Sequence, residues 1–573
     1  MTASSHSVAG IIARFLRARG VDRIFSLCGG HIMPMWMAIE AEGIRIIDVR
    51  DERAAVHMAQ AHAEVTGTLG VAVVTAGPGV TNAITGIANA HVARAPVLVL
   101  AGKPPLPQEN RGGLQDMDHT ALLGSITRYA RTVREPALAL QELDEAVARA
   151  LGEGGDPGPA FLDFPTDVLR TELPRDDHDG GRYRPRAPDV LRPDPACVMP
   201  AVELLWAAKK PLVISGRGAR RAGAALDRFL ARLGALHLDT GESRGLIPES
   251  HPSGVGAMRG AVMQDADVIV TVGRRLDFQL AFGSPAIFGA AKFIRIADAP
   301  SELRDNRPGD VEIFADPALA LGAMLAAAGN RNTSVDAAWA EGLRAKHETR
   351  VAKHRLAMAS ARDDAAGRMH PDRLLSALQA RLRDDSILVT DGGDFLSFCR
   401  VGLSASTVLD PGSFGCIGVG VPFGIAAALA CPDRNVVVAT GDGAFGFNAI
   451  EIDTAVRHRA PLVIVVANNG AWQIEVHDQR TTHGKVFGTE LQFADYAAMA
   501  RAFGMHGERV ERAGDLGAAL DRAFRHRPAL VDVIVSPDAV SSDAKSGLAW
   551  VPDLQPLAAW DAAERAWRQR PGF

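Results

Sequence analysis

Cysteine is scarce in this chain: five residues in 573, Cys28, Cys197, Cys399, Cys416 and Cys431. They are odd in number, widely scattered and without a CxxC pair, so neither a disulfide framework nor a zinc site is indicated, and a reducing, cytoplasmic setting fits. Aromatic residues are also sparse, at 5%. With 47% hydrophobic and 23% charged residues, the rest is an ordinary globular composition rich in Ala and Gly, which argues against disorder. No charge of one sign dominates. A formal net charge of −5 gives no field that would draw nucleic acid or an acidic membrane surface. A long apolar run is lacking too. The charge-free stretch from Pro411 to Pro432 is crowded by Gly415, Gly418, Gly420, Pro422 and Gly424, which reads as packed backbone and not as a membrane span. The opening "SVAGIIARFLRARG" breaks its apolar run at Arg14 and reads as an amphipathic helix ending near Gly20, not as a signal peptide.

What the chain has is length and an internal repeat. At roughly 150 residues per domain, 573 residues predict about three or four domains. The segment "VAVVTAGPGVTNAITGIANAHVARAPVLVLAG", from Val71, lies on the segment from Val436 at a constant offset of 365. Val71, Val73, Thr75, Ala90, Arg94, Ala95 and Pro96 fall on Val436, Val438, Thr440, Ala455, Arg459, Ala460 and Pro461 without a gap. Each copy predicts a strand, a Gly turn, a helix, "RAP" and a second strand. Continuous apolar strands alternating with helices predict parallel sheets covered on both faces. Between the copies, "PLVISGRGARRAGA", "ADVIVTVGRR" and "KFIRIADAP" predict a third α/β unit. The expected fold is therefore three doubly wound parallel-sheet α/β domains, over 1–170, 196–330 and 371–538. Linkers over 171–195 and 331–370 and a tail over 539–573, which carries Trp550, Trp560 and Trp567, complete the map.

Ligand sites in such sheets lie at the carboxyl ends of strands, beside helix N-termini whose free N–H groups favour anions. In "NVVVATGDGAFGFNAIEIDTAVRHRAPLVIVVANNGAW", Gly441, Asp442 and Gly443 sit at one strand end and Asn469 at the next. Turn chemistry alone would account for these residues. A second reading is an oxygen-liganded Mg²⁺ held by Asp442, Asn469 and the carbonyl of Ala471, next to a diphosphate approached by Gly441, Gly443 and Ala444.

"GDG" followed by "NN" at this separation resembles the signature of thiamin diphosphate (ThDP) enzymes. The resemblance runs over nearly the whole chain, because the order of domains and the repeat match as well. It implies an N-terminal domain for the aminopyrimidine, a C-terminal domain for the diphosphate, and Mg²⁺. "VRDERAAVHMAQ" resembles the family's glutamate segment, so Glu52 is expected to hydrogen-bond the pyrimidine, a role suited to a desolvated carboxyl. Asp51 stands where His or Asn is more usual there. Taken alone, Glu52 could equally serve the helix N-terminus. Ile417 matches the bulky residue that bends the cofactor, and Gly77, Gly79 and Asn82 match a loop lining the pyrimidine and the substrate channel. Glu52 and Asp442 lie 390 positions apart. In the family they meet across subunits, which implies a homodimer or homotetramer.

The reaction class rests on fewer residues. "CGGHI" places His31 as in benzaldehyde lyase, where a histidine relays protons at the substrate hydroxyl, and "GGLQDMDH" places Gln115 in a segment like that of the same enzyme. The C-terminal segments resemble 2-hydroxyacyl-CoA lyase and oxalyl-CoA decarboxylase. In the central domain Gly216 and Gly218 could admit a nucleotide, with Arg217, Arg220, Arg221, Arg274, Arg275 and Arg304 for its phosphates. ADP, FAD, the tail of a coenzyme A substrate or a plain solvated face all fit that pattern. After the Asn pair, "GAWQIEVHDQRTTHGKVFGTEL" departs from these relatives, and Glu490 within it is a candidate mobile acid–base group. The tail could be a lid or an arm across a dimer. The expected activity is a ThDP- and Mg²⁺-dependent 2-hydroxyacyl-CoA lyase acting on an acyl-CoA. The alternatives are a carboligase or lyase on 2-hydroxyketones or 2-keto acids, and a non-catalytic subunit. Intact Glu52, Asp442 and Asn469 speak against the last.

Overall fold

The computed structural model describes residues 6–174, 189–547 and 552–570. Most of the first linker and Trp550 lie outside the described residues. Seventeen strands form three wholly parallel sheets. The first holds β1 (Arg23–Ser26), β2 (Arg45–Asp48), β3 (Gly70–Val74), β4 (Val97–Lys103), β5 (Tyr129–Thr132) and β6 (Ala160–Pro165), in the order β2-β1-β3-β4-β6-β5. The central sheet holds β7 (Pro211–Ser215), β8 (Leu236–Leu238), β9 (Val268–Val272), β10 (Lys292–Ala297) and β11 (Val311–Phe314), ordered β11-β10-β9-β7-β8. The third holds β12 (Ile387–Asp391), β13 (Thr407–Leu409), β14 (Val436–Gly441), β15 (Leu462–Asn468), β16 (His506–Val510) and β17 (Ala529–Ile534), ordered β13-β12-β14-β15-β17-β16. β3, β4, β6, β7, β9 and β15 are buried along their whole length, as both-face coverage by helices requires.

The first and third sheets share one strand order, so the repeat in sequence is a repeat in topology. It extends to backbone detail. Arg94 and Arg459 each end a helix at φ 54, a left-handed conformation uncommon for a residue with a Cβ. The following N–H groups of Ala95 and Ala460 then donate to the carbonyls of Ala90 and Ala455, at 3.0 and 2.9 Å. The two copies also pack on each other. The helix Glu52–Thr66 and its counterpart Gly420–Ala430 bury their small and branched residues in a single cluster, with Ala54, Val56, Met58 and Ala59 from one side and Phe423, Ala426 and Ala427 from the other. That pairing brings the Glu52 turn against the third domain.

The join between the central and third domains contains the helix Ala337–Ala359, largely exposed. The tail returns to the central domain of its own chain. Helix Ala558–Arg568 lies against it, with the Ser284 hydroxyl donating to Glu564, Gln555 Nε2 donating to the Ala281 carbonyl at 3.3 Å, and Trp560 and Ala563 packed on the Leu280–Ile287 cluster.

Candidate active site

Glu52 is the first residue of its helix. Asp51 caps that helix, its carboxylate accepting the Arg53 N–H at 2.8 Å. The cap leaves Glu52 free to face away from the axis. It is 5% exposed, Asn82 Nδ2 donates to its Oε2 at 3.1 Å, and a Cβ placed on Gly79 would come within 3.4 Å of Oε1. Burial raises its pKa, and the Asn82 hydrogen bond opposes that rise. A carboxyl that keeps its proton longer than an ordinary glutamate is what hydrogen bonding to a pyrimidine nitrogen asks for. Dipole stabilisation of a solvated helix-start glutamate would leave neither the burial nor the raised pKa.

His31 follows β1 and Gln115 lies on the segment after β4, and the fold brings the two side chains close to each other. Burial lowers the His31 pKa, and the neighbouring Gln115 side chain partly offsets that. Gln115 itself has φ 63, and a Cβ on Gly77 would be 2.8 Å from the Gln115 Cβ, so these two backbones touch. Gly102 is equally required, because a Cβ there would sit 2.6 Å from His31. Glu52, Asn82, Gly77, Gly79, His31 and Gln115 thus gather at the carboxyl ends of β1, β2, β3 and β4.

In the third domain Gly441 ends β14 and caps the short helix Asp442–Asn448. Asp442 is 2% exposed and accepts the Gly470 N–H at 2.9 Å. Burial pushes its pKa up to about 6, since no cationic side chain is paired with it. Asn469 follows β15, and its Oδ1 accepts the Ala471 N–H at 3.2 Å. Among the described residues no group of three or more His, Cys, Asp or Glu could hold a metal. One buried carboxylate with an amide oxygen and a carbonyl is instead a partial set for Mg²⁺, whose remaining positions water and phosphate oxygens fill. An uncompensated buried carboxylate beside helix N–H groups fits a cation and a diphosphate together. A Cβ on Gly443 would collide with the Trp472 ring at 2.7 Å, so the indole packs directly against this backbone and only glycine fits beneath it.

Ile417 is half-buried on the loop before the helix Gly420–Ala430, and two side chains hold that loop. Asp391, at the end of β12, accepts the N–H groups of Gly418 (3.0 Å) and Gly420 (2.7 Å), while Asn448 Nδ2 donates to the Gly418 carbonyl at 2.6 Å. Neither residue was singled out from the sequence. Glu490 is exposed but strapped to the metal-side loop. It forms a bridge with Ala471, flanked by bonds from Trp472 N to the Thr489 carbonyl (2.8 Å) and Leu491 N to the Gly470 carbonyl (2.6 Å). The stretch after Ala471 folds as the helix Gln473–Asp478, and Gln473 and His477 bond to the carbonyls of Pro537 and Ala539.

Among the described residues no hydrogen bond or ion pair links Glu52 to Asp442, whose side chains bond Asn82 and the Gly470 N–H instead. The Glu52 turn is bound to the far end of the Asp442 helix: Arg53 Nη2 donates to the Phe447 carbonyl at 2.8 Å and Arg50 N to Glu451 Oε1 at 3.0 Å. That end lies six residues beyond Asp442, about 9 Å along the helix.

The arginines of the central domain are divided. Arg217 pairs with Asp298 and Glu302, Arg220 with Glu64 at 2.9 Å, and Arg274 with Glu242 and Asp277. Gly218 packs directly on Gly273, whose Cβ would fall 2.3 Å from the Gly218 Cα. Arg220 to Glu64, with Arg94 to Glu302 at 3.1 Å, fastens the central domain to the first. These side chains are engaged by carboxylates before any phosphate arrives. Arg221 and Arg304 are exposed. Arg275 is half-buried, with its Nε unpartnered. A cavity of about 600 Å³ lies elsewhere, between the third domain, helix Ala337–Ala359 and the tail, lined among others by His354, Arg362, His370, Ser397, Ala539 and Lys545.

Models of thiamine pyrophosphate enzymes match three stretches of the chain. The N-terminal TPP binding domain matches residues 6–122, the central domain 198–324 and the C-terminal TPP binding domain 397–533. Over its length the chain is 35% identical to an acetolactate synthase large subunit from Mycobacterium tuberculosis, covering 94% of this chain and 97% of that one. It is 34% identical to 2-hydroxyacyl-CoA lyase 2 from Homo sapiens (87% and 84% covered) and 31% identical to 2-hydroxyacyl-CoA lyase 2 from Caenorhabditis elegans (92% and 89%).

Proposed function

The chain belongs to the thiamine pyrophosphate enzyme family, and on that premise we propose that it is a Mg²⁺-dependent lyase cleaving a 2-hydroxyacyl-CoA, reversibly, to formyl-CoA and an aldehyde or ketone. The observation that carries this reading is the His31–Gln115 pair facing the same strand ends as Glu52. A histidine held neutral by burial is placed to accept a proton from a substrate hydroxyl and to return it. Gln115 orients the ring. Bound ThDP supplies a nucleophilic carbon and a sink for the electron pair of the bond that breaks. Glu52 would hold the proton at the pyrimidine nitrogen. Asp442, Asn469 and the Ala471 carbonyl would hold Mg²⁺, with the Gly443 and Ala444 N–H groups on the diphosphate and Ile417 against the rings. Glu490 would stand at the rim as a further proton carrier.

For the phosphates of the coenzyme A tail the candidates are Arg221, Arg275 and Arg304, together with Arg362 and Lys545 of the 600 Å³ cavity, which Asp364, Asp372 and Asp538 also line. An ADP or FAD in the central domain is disfavoured by the carboxylates already on Arg217, Arg220 and Arg274. In the family that Glu52 and Asp442 match, the two groups of one site come from different subunits, so the working unit is taken as a homodimer or a dimer of dimers, in a reducing cytoplasm. Purified protein with ThDP and Mg²⁺ should release formyl-CoA from a 2-hydroxyacyl-CoA and give little acetolactate from pyruvate. The acetolactate synthase relative supports the rival reading, and acetolactate formed faster than any thioester is cleaved would put that reading in place of ours.

A further inference from the structure

Two buried side chains of the first domain take no part in the chemistry above. His119 Nδ1 lies 2.8 Å from Asp163 Oδ2, both side chains fully buried, and His119 Nε2 lies 3.0 Å from the Gly77 backbone nitrogen. A backbone N–H only donates, so Nε2 is the bare nitrogen and Nδ1 carries the proton that Asp163 accepts. Both ring nitrogens are thus occupied, and His119 has neither a proton nor a lone pair to offer a substrate. What the ring does is tie three segments together: the end of β6 through Asp163, the turn after β3 through Gly77, and the 113–119 segment on which it stands.

That segment carries Gln115 in the left-handed region, at φ 63, which a residue with a Cβ keeps only when its surroundings impose it. The constraint is visible on both sides. Gly77 presses on the Gln115 backbone, so that even a methyl group would not fit between them, and Lys103 Nζ holds the Met117 carbonyl at 3.0 Å. Gln115 in turn lies beside His31. We infer that His119 and Asp163 are a positioning pair that locks the Gly77 and Gln115 backbones in contact and so sets where the His31–Gln115 pair stands against the substrate. The role given to His31 rests on the lyase reading; the geometry of the pair does not.

The test compares His119→Ala with His119→Gln, whose amide offers an acceptor to Gly77 and a donor to Asp163. In His119→Ala, kcat for the 2-hydroxyacyl-CoA should fall about 100-fold with KM within about twofold, the loss that an ångström of misplacement produces. ThDP affinity and exchange of its C2 proton should stay near the parent values, and His119→Gln should recover most of the turnover. A merely structural histidine would lower exchange and turnover together. The second arm needs no substrate: in a crystal structure of His119→Ala, Gln115 should leave its left-handed conformation and part from His31. An unmoved Gln115, turnover within twofold of parent in His119→Ala, or parallel losses of exchange and turnover would each overturn the inference. A parent protein without lyase activity, but with the displaced Gln115, would sink the lyase reading and leave the positioning role standing.

Discussion

Glu52, His31 and Asp442 are three ionisable groups whose surroundings push each away from its ordinary state in water, and each push matches a different task. Burial raises Glu52, lowers His31, and lifts Asp442 to about 6 in the absence of a cation. Asp442→Ala should therefore lose Mg²⁺ and ThDP together in calorimetric titration, and retention of both would reduce Gly441–Gly443 to a turn. His31→Ala should lower turnover of the hydroxylated substrate about 100-fold, as expected when a positioned acid–base group is lost. These residues stood out in the sequence because each sits in a short motif, His31 and Asp442 beside glycines and Glu52 at the start of a helix. His119, Asp163, Asp391 and Glu451 did not, because their partners are remote in the chain, backbone for three of them and the His119 ring for Asp163. Asp391 serves Gly420, His119 serves Gly77 and Glu451 serves Arg50, and folding alone creates those pairs.

The loop carrying Ile417 shows the same division among elements. Its glycines and its bulky residue could be read from the sequence, whereas its clamp could not, since β12 contributes the carboxylate from 26 positions upstream of Ile417. Burial pushes Asp391 up to about 7 despite three backbone N–H donors, and Glu451 likewise to about 7. A carboxyl raised in the folded state contributes stability that is fully present below the unfolded pKa, near 4, and lost as pH rises through about 7. Buried His57, His62 and His237, whose pKa values burial lowers, contribute the opposite slope, so the Asp391 contribution between pH 5.5 and pH 8 is read as a difference between parent and variant. In differential scanning calorimetry of the cofactor-free protein, the change in melting temperature from the lower pH to the higher should be more positive in Asp391→Asn, which cannot ionise, than in the parent, and an equal change would exclude Asp391 as a source. Within the stretch after Asn469, Gln473–Asp478 forms a helix that no local pattern announces, because Gln473 and His477 find their acceptors in the remote carbonyls of Pro537 and Ala539.

At the scale of the whole molecule, the repeat foretold two like domains, and the sheets carry it down to one strand order and two left-handed arginines. It did not foretell that the equivalent helices would pack on each other within one chain. If each site takes Glu52 from one subunit and Asp442 from its partner, chains carrying Glu52→Gln and chains carrying Asp442→Ala should complement. Random pairing of two inactive variants by unfolding and refolding together should restore about a quarter of the parent activity, since about half of the dimers then hold one intact site. No recovery would place both groups in the site of one chain. The central claim is that Glu52 activates a cofactor which Asp442 anchors, while His31 serves the substrate. Hydrogen–deuterium exchange at C2 of bound ThDP, followed by NMR, tests it most directly. Exchange should fall by orders of magnitude in Glu52→Gln with the cofactor still bound, and remain near the parent rate in His31→Ala. Exchange that is unchanged in Glu52→Gln, or equally slowed in both variants, would contradict it.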